Sequence, residues 1–142
     1  MNKSERLLVS LSPARLEWYT PVQVQKLMFL NEKIPGNRFP GDGFSFQPYD
    51  YGPFDPKIYA ELGALEGFGF IEIRPSGKGW SKYRLTEAGV DRAEELSNTL
   101  ETEIVEYLSK TSEFVRKLSF TDLVSSIYKA FPEMKINSVF KE

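Results

Sequence analysis

Three features of the sequence predict an α+β fold that is mostly helical. Apolar residues recur at helical spacing in several separate stretches, one stretch alternates apolar and charged residues, and side-chain caps followed by proline mark the boundaries. Lys3 to Leu11 predicts a short first helix, with Leu7, Leu8 and Leu11 on one side and Ser12-Pro13 as its stop. Thr20-Pro21 opens the second. Thr20 is placed to cap, Pro21 suits the first helical position, and Gln23 completes a capping box. Val24, Leu27, Met28 and Leu30 then form a buried stripe that runs to about Lys33.

From 34 to 53 the glycines and prolines exclude a helix, yet Phe39, Phe44, Phe46, Tyr49 and Tyr51 predict an ordered loop, with Phe44 to Gln47 as its strand. Asp55-Pro56 begins a third helix, whose apolar side is Ile58, Tyr59, Leu62 and Leu65 and whose end is marked by Gly67 and Gly69. Phe70 to Leu85 predicts a hairpin. Ile71 and Ile73 alternate with Glu72 and Arg74, Pro75 to Gly79 turns the chain, and Tyr83 and Leu85 alternate with Lys82 and Arg84. Thr86 caps a long helix along Val90, Ala93, Leu96, Leu100, Ile104 and Leu108. Ser119 and Asp122 start a last one, which Pro132 ends. Three helices followed by a two-stranded ribbon is the order of a winged helix. The expectation is one domain over 1–142, with a winged-helix-like core at 1–85 and a C-terminal helical extension at 86–142 packed on it.

Composition narrows the chemistry. The chain has 142 residues with no cysteine and no histidine, which removes disulfides, thiolate and imidazole metal ligands, and every nucleophile that relies on an imidazole. No apolar run approaches the roughly 20 residues needed to span a bilayer. Lys3, Glu5 and Arg6 among the first leucines do not read as a signal peptide. A cytoplasmic protein with no membrane partner and no cofactor is expected. The net charge is −2 overall, divided as +2 over 1–85 and −4 over 86–142, which permits a basic face without requiring one.

Two constellations bear on function. The ribbon carries Arg74, Lys78, Lys82 and Arg84 and no acidic residue between Arg74 and Leu85. Long cations on an exposed ribbon suit phosphate contacts, and they equally suit a strand edge blunted against aggregation. The third helix offers Lys57 alone against Asp55, Glu61 and Glu66, with no arginine, asparagine or glutamine for base readout. DNA-binding candidates are therefore Lys57, Arg74, Lys78, Lys82 and Arg84. The second constellation is the string from Gln47 to Asp55, in which tyrosines stand among proline and glycine. Such rings either cover the edge of the core or form a rigid amphipathic interface. Tyr49, Tyr51, Phe54 and Trp80 are the candidates for a protein partner.

Val24 to Leu30, Phe44 to Phe54, and Leu62 through Leu65 to Gly69-Phe70-Ile71 together resemble the Panacea or SocA-like antitoxin domain and the related YwgA-like bacterial proteins. The likeness covers about residues 20–73 and extends loosely to Leu85 to Gly89. It implies a protein that neutralises a toxin encoded beside it; no catalytic residues come with it. Two further readings stand beside this one. The first is a winged-helix regulator acting through DNA alone, and the second is a metal-dependent enzyme using Asp50, Asp55 and Glu61. The apolar stripe from Leu96 to Leu108 is expected either to be covered by the last helix or to make a homodimer.

Overall fold

The computed structural model describes residues 1–141. Helices begin where a side chain accepts the first free amides. Helix α1 (Lys3–Leu11) starts with a capping box between Asn2 and Glu5, and α2 (Pro21–Asn31) with the Thr20–Gln23 box that the sequence predicts. Helix α3 (Lys57–Gly67) has Pro56 at its cap position, and the Asp55 carboxylate accepts the Lys57 amide from one residue further out. Thr86 caps α4 (Glu87–Ser97), and Ser119 caps α6 (Phe120–Ala130). Between them lies α5 (Thr102–Lys117).

Two antiparallel pairs complete the molecule: β1 (Gln47–Tyr49) with β2 (Gly52–Phe54), and β3 (Ile71–Pro75) with β4 (Ser81–Leu85). The fold is α+β and mostly helical, with six α-helices and two small sheets among the described residues. The ribbon registers Ile71 with Leu85 and Ile73 with Tyr83, so its apolar side chains share one face. Tyr19, just before α2, exchanges both backbone hydrogen bonds with Tyr83 (2.7 and 3.0 Å) and so extends that ribbon by one bridge.

Three expectations are corrected. The strand of the aromatic loop is Gln47–Tyr49 rather than Phe44 to Gln47, because Phe44 is drawn into the core and Phe46 packs edge-on against Phe29. The rest of 34–46 is loop, with one tight turn at Pro35–Asn37 where Gly36 and Asn37 take positive φ. The long helix after Thr86 is two helices, broken at residues 98–101. Its apolar stripe consequently lies on both, with Leu96, Ile104 and Leu108 buried. Finally, these helices are covered by α1 and α2, and the last helix packs elsewhere, over β2.

Helix α2 runs through the centre. Every residue from Val24 to Phe29 is buried, whichever way its side chain points. One hydrophobic cluster joins Leu7 and Leu11 of α1, Leu27 and Met28 of α2, Ile58 and Leu62 of α3, Leu85 of the ribbon, Val115 of α5 and Ile127 of α6. Each such side chain contributes about 2 kcal/mol by leaving water. The loop before β1 is held from below by Arg6. This buried guanidinium donates to the carbonyls of Phe39 (2.9 Å) and Pro40 (3.0 Å), pairs with Glu32 (2.8 Å) and stacks on the Phe39 ring.

An aromatic groove as the candidate functional site

The β1–β2 hairpin projects beside the first turn of α2. Its turn is Asp50-Tyr51, and the left-handed position that closes it falls on Gly52, with φ of 103°. A side chain at 52 would also meet the Tyr128 ring at 3.2 Å. Glycine is thus required twice over. Pro48 faces Pro53 across the pair, and neither proline has an amide to give the ladder.

The base of the hairpin is tied to α2 and α3. The Gln25 side-chain amide brackets the Asp55 backbone, donating to its carbonyl (3.0 Å) and accepting from its amide (2.9 Å). The Asp55 carboxylate accepts from the amides of Ser45 (2.8 Å) and Lys57 (2.9 Å). The hairpin tip is tied to the chain's last residues. Val139 donates its amide to the Asp50 carbonyl (3.0 Å), Ser138 its hydroxyl to the same oxygen (3.3 Å), and Asn137 its amide group to the Pro48 carbonyl (3.2 Å).

Between hairpin, α2 and α6 lies an open groove of about 580 Å3. It is lined by the first turn of α2, Thr20 to Gln23, by Tyr49 to Gly52 with Phe54, by Tyr59 of α3 and Trp80 from the ribbon turn, and by Leu118, Phe120 and Leu123 at and before the start of α6. Of the eight exposed large apolar side chains among the described residues, four, Tyr49, Tyr51, Trp80 and Phe120, line this groove. Tyr49 stacks on Phe54 (centroids 4.6 Å apart) and Tyr51 meets Phe120 edge-on (5.1 Å). All four partner-binding candidates, Tyr49, Tyr51, Phe54 and Trp80, are therefore brought to the same groove.

Lys26 is the residue that the sequence reading missed. It lines the groove, is 2% exposed, and donates to the Pro53 carbonyl at 3.3 Å. Burial pulls its ammonium down to about 7. Burial likewise raises the Tyr59 phenol, a shift opposed by its hydrogen bond with Gln25. A signal for Lys26 was present. Leu27, Met28, Phe29 and Leu30 are apolar in succession, more than one face of a helix can hold, so a central α2 leaves its polar residues inside.

The basic candidates are arranged differently. Arg84 pairs with Glu72 across the ribbon (2.8 Å), and Arg74 approaches the same carboxylate at 3.7 Å. Lys82 and Arg84 lie over the Trp18 ring, 4.4 and 4.2 Å from its centroid. Lys78 is exposed at the turn, and Lys57 is exposed on the first turn of α3, outside the groove lining. The three carboxylates considered for a metal are dispersed in role. Asp50 lines the groove, Asp55 is spent on two amides, and Glu61 accepts from the Ser4 hydroxyl. Among the described residues no set of three or more acidic side chains stands where it could hold a metal ion. No described helix is long and apolar enough to cross a membrane. Compared with family models, curated proteins and solved structures, the chain matches none of them.

Proposed function

We propose that the chain is a non-enzymatic binding module, an antitoxin-like regulator that holds a protein partner in the aromatic groove. The observation that carries this reading is the convergence of Tyr49, Tyr51, Trp80 and Phe120, all exposed, around one cavity whose backbone is fixed from both ends. Tyrosine and tryptophan give large contact area at little conformational cost, and a preformed wall avoids the ordering penalty of docking. The resemblance of the Phe44 to Phe54 string to Panacea-type antitoxins supplies the kind of partner. The test is co-expression with the product of the neighbouring gene. Rescue of growth and a stable complex are expected, both lost in a Tyr51→Ala/Trp80→Ala variant that still folds. A complex indifferent to those substitutions would sink the groove.

A second reading, a winged-helix regulator acting on DNA, draws support from the helix order and from the Tyr19–Tyr83 bridge, which fastens the ribbon to the segment before α2. Against it, Arg74 and Arg84 share Glu72, and Lys82 and Arg84 cover Trp18. A salt-series titration against upstream DNA and a scrambled duplex separates the two. Sequence-preferring binding that Arg74, Lys78, Lys82 and Arg84→Gln abolish would establish the ribbon as a wing.

A further inference from the structure

We propose that the partner enters the groove with an acidic side chain that seats on the Lys26 ammonium, its apolar neighbours packing on Tyr51, Trp80 and Phe120. This rests on the groove being the partner site, and it names what the groove selects. An ammonium has three hydrogens to donate. That of Lys26 has one hydrogen-bond acceptor, the Pro53 carbonyl, and among the described residues it has no carboxylate in ion-pair reach.

The polar groups that could have served it are committed elsewhere. Gln25 is held by the Asp55 backbone, and the Asp55 carboxylate by two amides. A buried charge without a counter-ion is costly, and the cost is recovered when an opposite charge arrives in the same low-dielectric space. The first turn of α2 forms the adjacent wall and brings the positive end of the helix to the same side.

The groove also excludes the obvious competitor. A phosphate carries more charge than one ammonium balances and is commonly met by arginine forks. Lys26 is the one cation among the described residues lining the groove, and Asp50, which lines it too, opposes a dianion about twice as strongly as a single carboxylate. A single carboxylate flanked by apolar groups fits one ammonium among tyrosine, tryptophan and phenylalanine.

The pairing carries a pH signature. The titratable groups around Lys26 are Asp50, Tyr49 and Tyr51 on the hairpin, Asp55 at its base, Tyr59 on α3 and Tyr128 on α6. Because burial holds the free ammonium at about 7, an acidic ligand must supply a protonated Lys26 from a population that thins as the pH rises. Affinity is expected to fall about tenfold per pH unit above that point, until the ligand-raised value is reached.

Random linear peptides displayed on phage, selected on the wild-type chain and counter-selected on Tyr51→Ala/Trp80→Ala, provide the probe. Each groove-dependent peptide is synthesised, and its Asp and Glu residues are replaced in turn by Asn and Gln for calorimetry. One acidic position is expected whose amidation weakens binding about tenfold or more on the wild type, and less than about twofold on Lys26→Met and on Lys26→Gln. Groove-dependent peptides with no acidic requirement, or with the same requirement in both Lys26 variants, overturn the carboxylate proposal while leaving the groove intact. A library that yields no groove-dependent peptide overturns the groove reading itself.

Discussion

The molecule contains two antiparallel hairpins of opposite construction. The β3–β4 ribbon has five residues a side, an apolar face, a charged face and a glycine-rich turn closed by the Ser76 amide on the Trp80 carbonyl. Its order is local. The β1–β2 hairpin has three residues a side, two facing prolines and a turn of Asp50-Tyr51, and it is held by Gln25, by Tyr128 and by residues 137–139. Its order is borrowed from distant parts of the chain. The first spends its charges on itself, Arg74 and Arg84 meeting on Glu72. The second covers the Lys26 ammonium, which no carboxylate among the described residues pairs with. A hairpin stabilised by its own pairs has little left for a ligand, and one built over an unbalanced ammonium has a demand that a ligand can meet.

This contrast can be tested from the floor of the groove outward. Lys26→Met should stabilise the free protein by roughly 5 kcal/mol below neutral pH, the free-energy equivalent of lowering an ammonium from its ordinary value to about 7. The sign follows from linkage. The unfolded chain binds the proton more tightly, so the penalty is full below about 7 and fades as the pH rises toward 10. Denaturation midpoints of wild type and variant should therefore converge between neutral pH and pH 10. A constant gap would mean that Lys26 does not titrate in the fold.

Next in size are two glycines, Gly89 of α4 where it abuts the entry to the ribbon and Gly52 at the turn of the β1–β2 hairpin. A methyl group at Gly89 would sit 2.0 Å from the Phe70 carbonyl oxygen, backbone that cannot swing aside, because the same oxygen accepts the Thr86 amide. Gly89→Ala should cost about 3 kcal/mol in urea denaturation. Gly52→Ala meets the Tyr128 ring and a strained φ, and should cost about 2 kcal/mol. Only the Gly52 substitution should also weaken partner binding. At the small end, Glu72→Gln removes the carboxylate shared by the ribbon's arginines. These are partly exposed pairs, so the loss of stability should stay under about 1 kcal/mol. A larger loss would show that the ribbon is less self-sufficient than its pattern suggests.

The same contrast explains what could be read from the sequence. Thr20, Gln23, Thr86 and Ser119 cap where they are expected because a cap is a contact across three residues. The Ile71 to Leu85 alternation is likewise legible within one short window. The aromatic string from Gln47 to Phe54 was visible as unusual, and the exposure of Tyr49 and Tyr51 followed from it. Its strand register was not visible, because Phe44 and Phe46 are placed by partners in α2 and the core rather than by their neighbours. The break at residues 98–101 was hidden because Leu96, Leu100, Ile104 and Leu108 keep a four-residue spacing across it. Phe120 and Leu118 joined the groove through the return of α6, a contact between segments that no local pattern couples.

The hydrogen bonds from Ser138 and Val139 to Asp50 join positions 88 and 89 residues apart, and they bear on how the protein is made. A ribosome releases the hairpin long before the strap that fastens it. During synthesis the tyrosines of the turn are therefore present without their final support, and the groove takes shape only when residues 137–139 have emerged. Recognition therefore depends on the segment 137–139, and a nascent chain that has not yet reached it carries the tyrosines of the turn without that support.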